Sequence, residues 1–261
     1  MISALPIEHN FSGRLVRKGI LLEETYRIFA HFHLDEGLRE NIARVREENL
    51  IGARNHAWLR EVTATVSSRF SQGESIDGLV ALAAGGLSLE IWKFCLLWHI
   101  GSTDGLYRDF ISEFLFPQVG NGVAMFTTDD VIPFICELGK RGVFQEELSE
   151  YGVRRLARDL LRMAGDFGFV KGSARREVVH QAIPENAILY AIYSLWQDTP
   201  SADRLIKSDR WKLFMMNPAQ VENELLNFHQ FHRLRFERAG TVREMSLPHG
   251  SLLEFSKSII A

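Results

Sequence analysis

The sequence predicts a mainly α-helical protein in two domains, and three observations carry that expectation. Apolar residues recur at helical spacing along most of the 261 residues, and a hydrophobic content of 46% is enough to bury two modest cores. Alternation with the strand period is confined to short stretches near residues 169–180 and 234–246. Residues 117–122, Pro-Gln-Val-Gly-Asn-Gly, are turn chemistry and make the best boundary. The domains are therefore expected at 1–118, a helical bundle, and at 123–261.

Within the first domain, Ser12 is placed to cap a helix over residues 13–33, with Leu15, Ile20, Leu22, Tyr26, Phe29 and Ala30 facing inward. Its first turns carry a basic cluster, Arg14, Arg17 and Lys18, although cations at a helix N-terminus oppose the dipole. Further helices are expected over 35–48 and 55–70, the latter burying Trp58, Leu59, Val62 and Val66. Residues 78–100 are apolar and about long enough to span a bilayer. Glu90 and Lys93 would each cost roughly 2.5–3.5 kcal/mol near mid-membrane. Gly85-Gly86-Leu87-Ser88 also breaks the run, so a buried helical hairpin is expected and no membrane partner. Thr103-Asp104 caps a helix to about residue 116 with Leu106, Tyr107, Phe110, Ile111 and Phe114 inward.

The middle of the chain carries the most specific pattern. Thr127-Thr128-Asp129-Asp130 opens a helix to about Lys140, Gly142 stops it, and residues 144–149 are expected to form a short helix. Residues 151–167 then form a helix with two opposed faces. Val153, Leu156, Ala157, Leu160, Leu161, Met163, Ala164 and Phe167 share one arc, while Arg154, Arg155, Arg158 and Arg162 share the other with Tyr151. Guanidiniums gathered on one face repel mildly, so the arrangement suits a polyanion laid along them. A turn over 171–174 and the run Arg175-Arg176-Glu177-Val178-Val179-His180 make a two-stranded ribbon with Lys171, Arg175 and Arg176 near its tip. Helix, short helix, basic helix and basic hairpin follow the order of a winged helix-turn-helix, whose third helix enters the major groove. Such segments also serve as protein-docking modules, and arginine-rich helix faces also occur simply as solvated surfaces.

Beyond it, Pro184 starts an apolar helix to Trp196, residues 202–207 form a short turn, and Trp211, Leu213, Phe214 and Met215 make a buried patch. A helix over 218–229, a hairpin of 234–238 with 242–246, and a short helix within 248–260 complete the chain.

Charge and composition exclude several classes. A net charge of −3 and a pI near 6.3 leave no whole-molecule attraction for nucleic acid, so any binding must be local. Cys95 and Cys136, the two cysteines, sit in apolar runs and are expected as buried thiols suited to a reducing cytoplasm. Residues 1–10 lack the basic and apolar regions of a signal peptide. Phosphate-loop, dinucleotide and nucleophile-elbow motifs do not occur in the sequence. His229 and His232 lie three apart without a ready third ligand, and Asp129 and Asp130 are better caps than catalytic carboxylates. Neither an enzyme, a cofactor nor a metal site is expected.

The assembled pattern resembles the BrxA family of BREX phage-defence systems, helical proteins described as similar to the antitermination factor NusB. The resemblance rests on G-R-L-V-R-K-G-I-L-L-E-E-T at 13–25, E-E-N-L-I-G-A-R at 47–54 and V-S-S-R-F at 66–70. It continues in R-R-L-A-R-D-L-L-R-M-A-G-D-F-G-F-V at 154–170, I-P-E-N-A-I-L-Y-A-I-Y at 183–193, S-D-R-W-K-L-F at 208–214 and R-A-G-T-V-R-E-M-S-L-P at 238–248. It implies a NusB-like bundle and a non-enzymatic accessory protein, DNA-binding, working beside other BREX proteins. The likeness to NusB keeps RNA as the alternative ligand.

Overall fold

The computed structural model describes residues 18–71, 75–144, 146–240 and 242–260. Its elements begin with α1 (Leu22–Ala30), α2 (Leu38–Glu47), α3 (His56–Phe70), α4 (Asp77–Ala84) and α5 (Leu89–Thr103). Next come α6 (Gly105–Asp109), a π-helical stretch (Phe110–Leu115), α7 (Phe116–Gly120), β1 (Met125–Phe126), α8 (Thr128–Lys140) and α9 (Glu150–Asp166). After them follow β2 (Val170–Lys171), β3 (Arg176–Val178), α10 (Glu185–Asp198), α11 (Ala202–Ile206) and a 3-10 helix (Asp209–Phe214). The chain closes with α12 (Pro218–Gln230), β4 (Arg235–Ala239), β5 (Val242–Ser246) and α13 (Leu252–Ser258). The fold is mainly helical with a few short antiparallel strands, as the periodicity predicts. None of the described helices is long and apolar enough to cross a membrane.

Contacts gather the chain into two compact units, Met1–Ile20 with Ile100–Gln181, and Leu21–His99 with Ala182–Ala261. Residues 117–122 fall inside the first of them.

In the unit built from Leu21–His99 and Ala182–Ala261, indole rings anchor the core. Trp98 packs on Trp211 and Phe214 with centroids 5.4 and 5.3 Å away, and its Nε1 donates to Ser194 Oγ at 2.9 Å. Trp92 Nε1 reaches the Leu79 carbonyl and Trp211 Nε1 the Leu205 carbonyl, so each buried indole keeps a partner. The hairpin of α4 and α5 breaks at Gly85–Gly86 as expected, and Gly86 takes the left-handed φ of +77°.

The other unit, which holds the basic helix, is built on a cluster of aromatic rings. Phe114 lies 5.6 Å from each of Phe110, Phe126 and Phe134, and Tyr107 lies 5.7 Å from Phe167. Buried Leu156, Leu160, Leu161 and Met163 of α9 and Val131, Ile135 and Leu138 of α8 complete this core. Three strands pair antiparallel in the order β1-β3-β2, with Phe126 opposite Arg176 and Lys171 opposite Glu177.

The structure corrects several expectations. Residues 144 and 146–149 are not helical; a run that short cannot offset helix nucleation, and Ser149 instead caps α9 by accepting from Gly152 N–H at 3.1 Å. Residues 116–120 are helix, not turn, because the chain from Gly105 continues through the π-helical turns. Those turns precede Pro117, whose ring has no N–H to bond back to Glu113. The first helix, expected over 13–33, begins in the described chain at Leu22, after left-handed backbone at Gly19 (φ +70°) and Leu21 (φ +54°). Its earlier part, with Arg14 and Arg17, lies outside the described residues. Cys95 is buried but Cys136 is exposed, on the outer face of α8, and Trp58 is 40% exposed rather than inward. A third strand, β1, was not foreseen because two residues are too few to show alternation.

Candidate nucleic-acid interface

Helix α9 is held in place at its start and from beneath. Ser149 caps its start, and its apolar arc is sunk in the aromatic core. Helix α8, packed against it, has Thr127 as its N-cap, whose backbone N–H and hydroxyl both donate to the Asp130 carboxylate at 2.6 and 2.7 Å. That leaves Asp129 free to point elsewhere, and it meets Arg154 of α9 at 2.8 Å.

The four arginines lie together on the exposed face, as their spacing predicts. Arg154, Arg155 and Arg162 keep 50, 47 and 44% of their side chains in solvent, and Arg158 is exposed as well. A carboxylate sits at the base of this face. The Asp159 side chain, 11% exposed, lies 3.2 Å from Arg162 and 3.9 Å from Arg155. These are i,i+3 and i,i+4 spacings that were legible in the sequence and were not read as pairs. Asp159 thus anchors two guanidiniums at their base and cancels part of the charge of the face. The Arg154–Asp129 pair is half or more exposed on both sides, and such pairs contribute only about 0.2–1 kcal/mol. Arg158 has no carboxylate partner among the described residues.

The hairpin residues divide into two groups. Lys171 pairs across the strands with Glu177 at 3.1 Å, and both side chains remain largely in solvent. Arg175 is exposed at the turn, which Gly172 makes possible with a φ of +104°. Arg176 turns back to α9: a β-carbon placed on Gly165 would lie 3.3 Å from its Nη1, so this glycine makes room for the guanidinium. There it joins Arg162 and Asp166. Burial raises the Asp166 carboxyl above its ordinary range, and the two arginines oppose the rise. Burial likewise lowers the Arg176 guanidinium, an effect that Asp166 opposes and Arg162 adds to.

From the other predicted cluster, Lys18 is exposed beside Gly19, where a β-carbon would lie 3.6 Å from Arg162 Nη2. The chain leading from the first basic cluster therefore passes the Arg162 end of the α9 face. The histidine pair considered for metal is separated by role. His229 Nδ1 accepts from the Phe236 N–H at 3.2 Å, and His232 terminates α12 with a positive φ. Among the described residues no group of three or more histidine, cysteine or acidic side chains could hold a metal ion.

Fold and site together define a mainly helical protein that carries an arginine-bearing helix face beside a small antiparallel sheet. Residues 9–192 match the BrxA family, more than half of the chain, and the protein belongs to that family. Membership associates it with BREX phage-defence systems. A search of curated proteins returns no match.

Proposed function

We propose that this protein is a non-enzymatic nucleic-acid-binding accessory factor of a BREX system, acting in the cytoplasm on double-stranded DNA. The observation that carries the reading is the exposed arginine face of α9 beside a basic turn. Arg158 and Arg175 lack carboxylate partners among the described residues, and the pairs at Arg154, Arg155 and Arg162 each leave about half the side chain in water. A phosphate can displace or share such partners, since charge-assisted bonds to phosphate are at least as strong as exposed ion pairs. The succession α6–α7, β1, α8, α9, β2, β3, with β3 central in its sheet, supports reading this unit as a winged helix-turn-helix. On that reading α9 enters the major groove, and Lys171 and Arg175 meet phosphate from the wing. Arg176, laid against α9, positions the wing more than it touches DNA. Backbone contacts dominate, and sequence preference is weak.

The test is a gel shift with duplex DNA against the triple reversal Arg154→Glu, Arg158→Glu and Arg162→Glu. Loss of the shift is expected, while equal binding by the folded triple variant rejects the reading. Competition by structured RNA at equal phosphate concentration would make RNA, as in NusB, the ligand instead.

A second reading, an adaptor that docks protein partners of the defence complex, is favoured by a different observation. A groove of about 510 Å³ beside α8 is lined by Ile135, Phe144, Leu148 and Val153, with Glu146 and Glu147 also in its wall. An apolar segment flanked by basic side chains would suit it. Nuclease-resistant capture of a BREX protein, with no DNA or RNA shift, would select this reading.

A further inference from the structure

The unit formed by Leu21–His99 and Ala182–Ala261 holds a second cavity, of about 480 Å³, whose chemistry the arginine face does not explain. Asn186, Tyr193, His232, Arg233, His249 and Ser258 line it, and no carboxylate does. Arg233 Nη2 donates to the Asn186 amide oxygen at 3.1 Å. That is a neutral acceptor, and among the described residues this guanidinium has no acidic partner. Using Oδ1 on Arg233 fixes the amide so that its NH2 is left to donate.

Tyr193 supplies the second, independent observation. Its residue is 2% exposed, and its hydroxyl accepts the His249 backbone N–H at 3.2 Å. The phenolic proton has no acceptor among the described residues, and a buried donor left without one is costly. Stacking of the ring on Phe255, with centroids 4.5 Å apart and planes 14° from parallel, prevents the phenol from swinging out to water. The imidazoles of His232 and His249 make no hydrogen bond to described residues either. The nearby acid, Glu254, accepts the Gly250 N–H at 2.8 Å. Ser258 Oγ donates to the Phe255 carbonyl at 2.7 Å, so the donors left to a ligand are the rest of the Arg233 guanidinium, the Asn186 NH2 and the Tyr193 hydroxyl.

We propose that this cavity binds a tetrahedral oxyanion of the phosphate class, either inorganic phosphate or the phosphate of a small monoester. Arg233 provides the charge and the forked donors, Asn186 and Tyr193 bond to the remaining oxygens, and His232 and His249 border the mouth. A carboxylate offers two oxygens in one plane, whereas a tetrahedral oxyanion offers three or more oxygens to donors arriving from several directions.

The experiment is isothermal titration calorimetry on the full chain at fixed ionic strength, with inorganic phosphate, adenosine monophosphate and acetate in separate arms. Saturable binding of phosphate or the monoester is expected, at least about tenfold weaker in Arg233→Gln and in Tyr193→Phe. Tighter binding of the monoester than of phosphate identifies the ester as source, and the reverse order identifies the free ion. Equal binding of acetate, no saturable heat, or undiminished affinity in either variant overturns the proposal. Far-UV circular dichroism confirms that each variant is folded, and either one alone decides the matter if the other is not.

Discussion

At the scale of single residues, the two cysteines separate by environment although their sequence contexts look alike. Cys95 is fully buried in α5, where burial pushes its thiol far above the ordinary range, and Cys136 is exposed on α8. One thiol is expected to react with a disulfide reagent in the native protein and two after unfolding. Two reactive native thiols would contradict the packing of α5. Asp159 supports a second prediction. It is a nearly buried acid at the base of the arginine face, and Asp159→Asn should lower stability by about 1 kcal/mol in urea unfolding, since the paired guanidiniums remain hydrated on their outer side. The same change should tighten DNA binding, because it frees the charge of Arg155 and Arg162. Weaker binding would show that Asp159 matters through the shape of the face rather than its charge. Both arginine partners were within reach of the sequence by their spacing. The depth of Asp159 was not, because it depends on how far α9 sinks into the core.

The hairpin illustrates the scale of the element. A strand pair this short has little ladder to hold it, so its turn carries the geometry. Gly172 sits at a φ that side-chain-bearing residues rarely adopt, and a β-carbon there would run into the Arg175 carbonyl. Gly172→Ala should therefore cost about 1–3 kcal/mol of local stability. It should weaken the DNA gel shift without changing the helical circular dichroism, and an unchanged shift would remove the wing from the interface. Helix α9 itself was legible in the sequence, because its apolar and cationic arcs repeat over several turns and nothing in the chain contradicts them. Residues 144–149 misled because helix-favouring side chains in a short run do not nucleate a helix unless packing helps. β1 escaped notice for the opposite reason: its two residues become a strand only because β3 lies alongside.

For the molecule as a whole, the net charge of −3 means that the proposed interface must work against the average field. On the proposed reading, attraction comes from the local set of Arg154, Arg155, Arg158, Arg162, Lys171 and Arg175. If each neutralised one phosphate, the slope of log K against log salt would be about −5, and pairing at Asp129, Asp159 and Glu177 should bring it to about −3. Fluorescence anisotropy across a salt series measures that slope. A value near zero would mean that binding, if seen, does not use this face.

The sequence by itself determined the helical class, the positions of most helices, the break at Gly85–Gly86 and the gathering of four arginines on one side of α9. Each of these follows from local periodicity or from the backbone freedom of glycine, which act over a few residues. Tertiary structure decided that Asp129 of α8 tempers Arg154 and that Arg176 lies across Gly165. It also decided that Tyr193, Asn186 and Arg233 share one cavity. These are meetings of residues far apart in the chain, fixed by how the elements pack, and no spacing along the sequence records them.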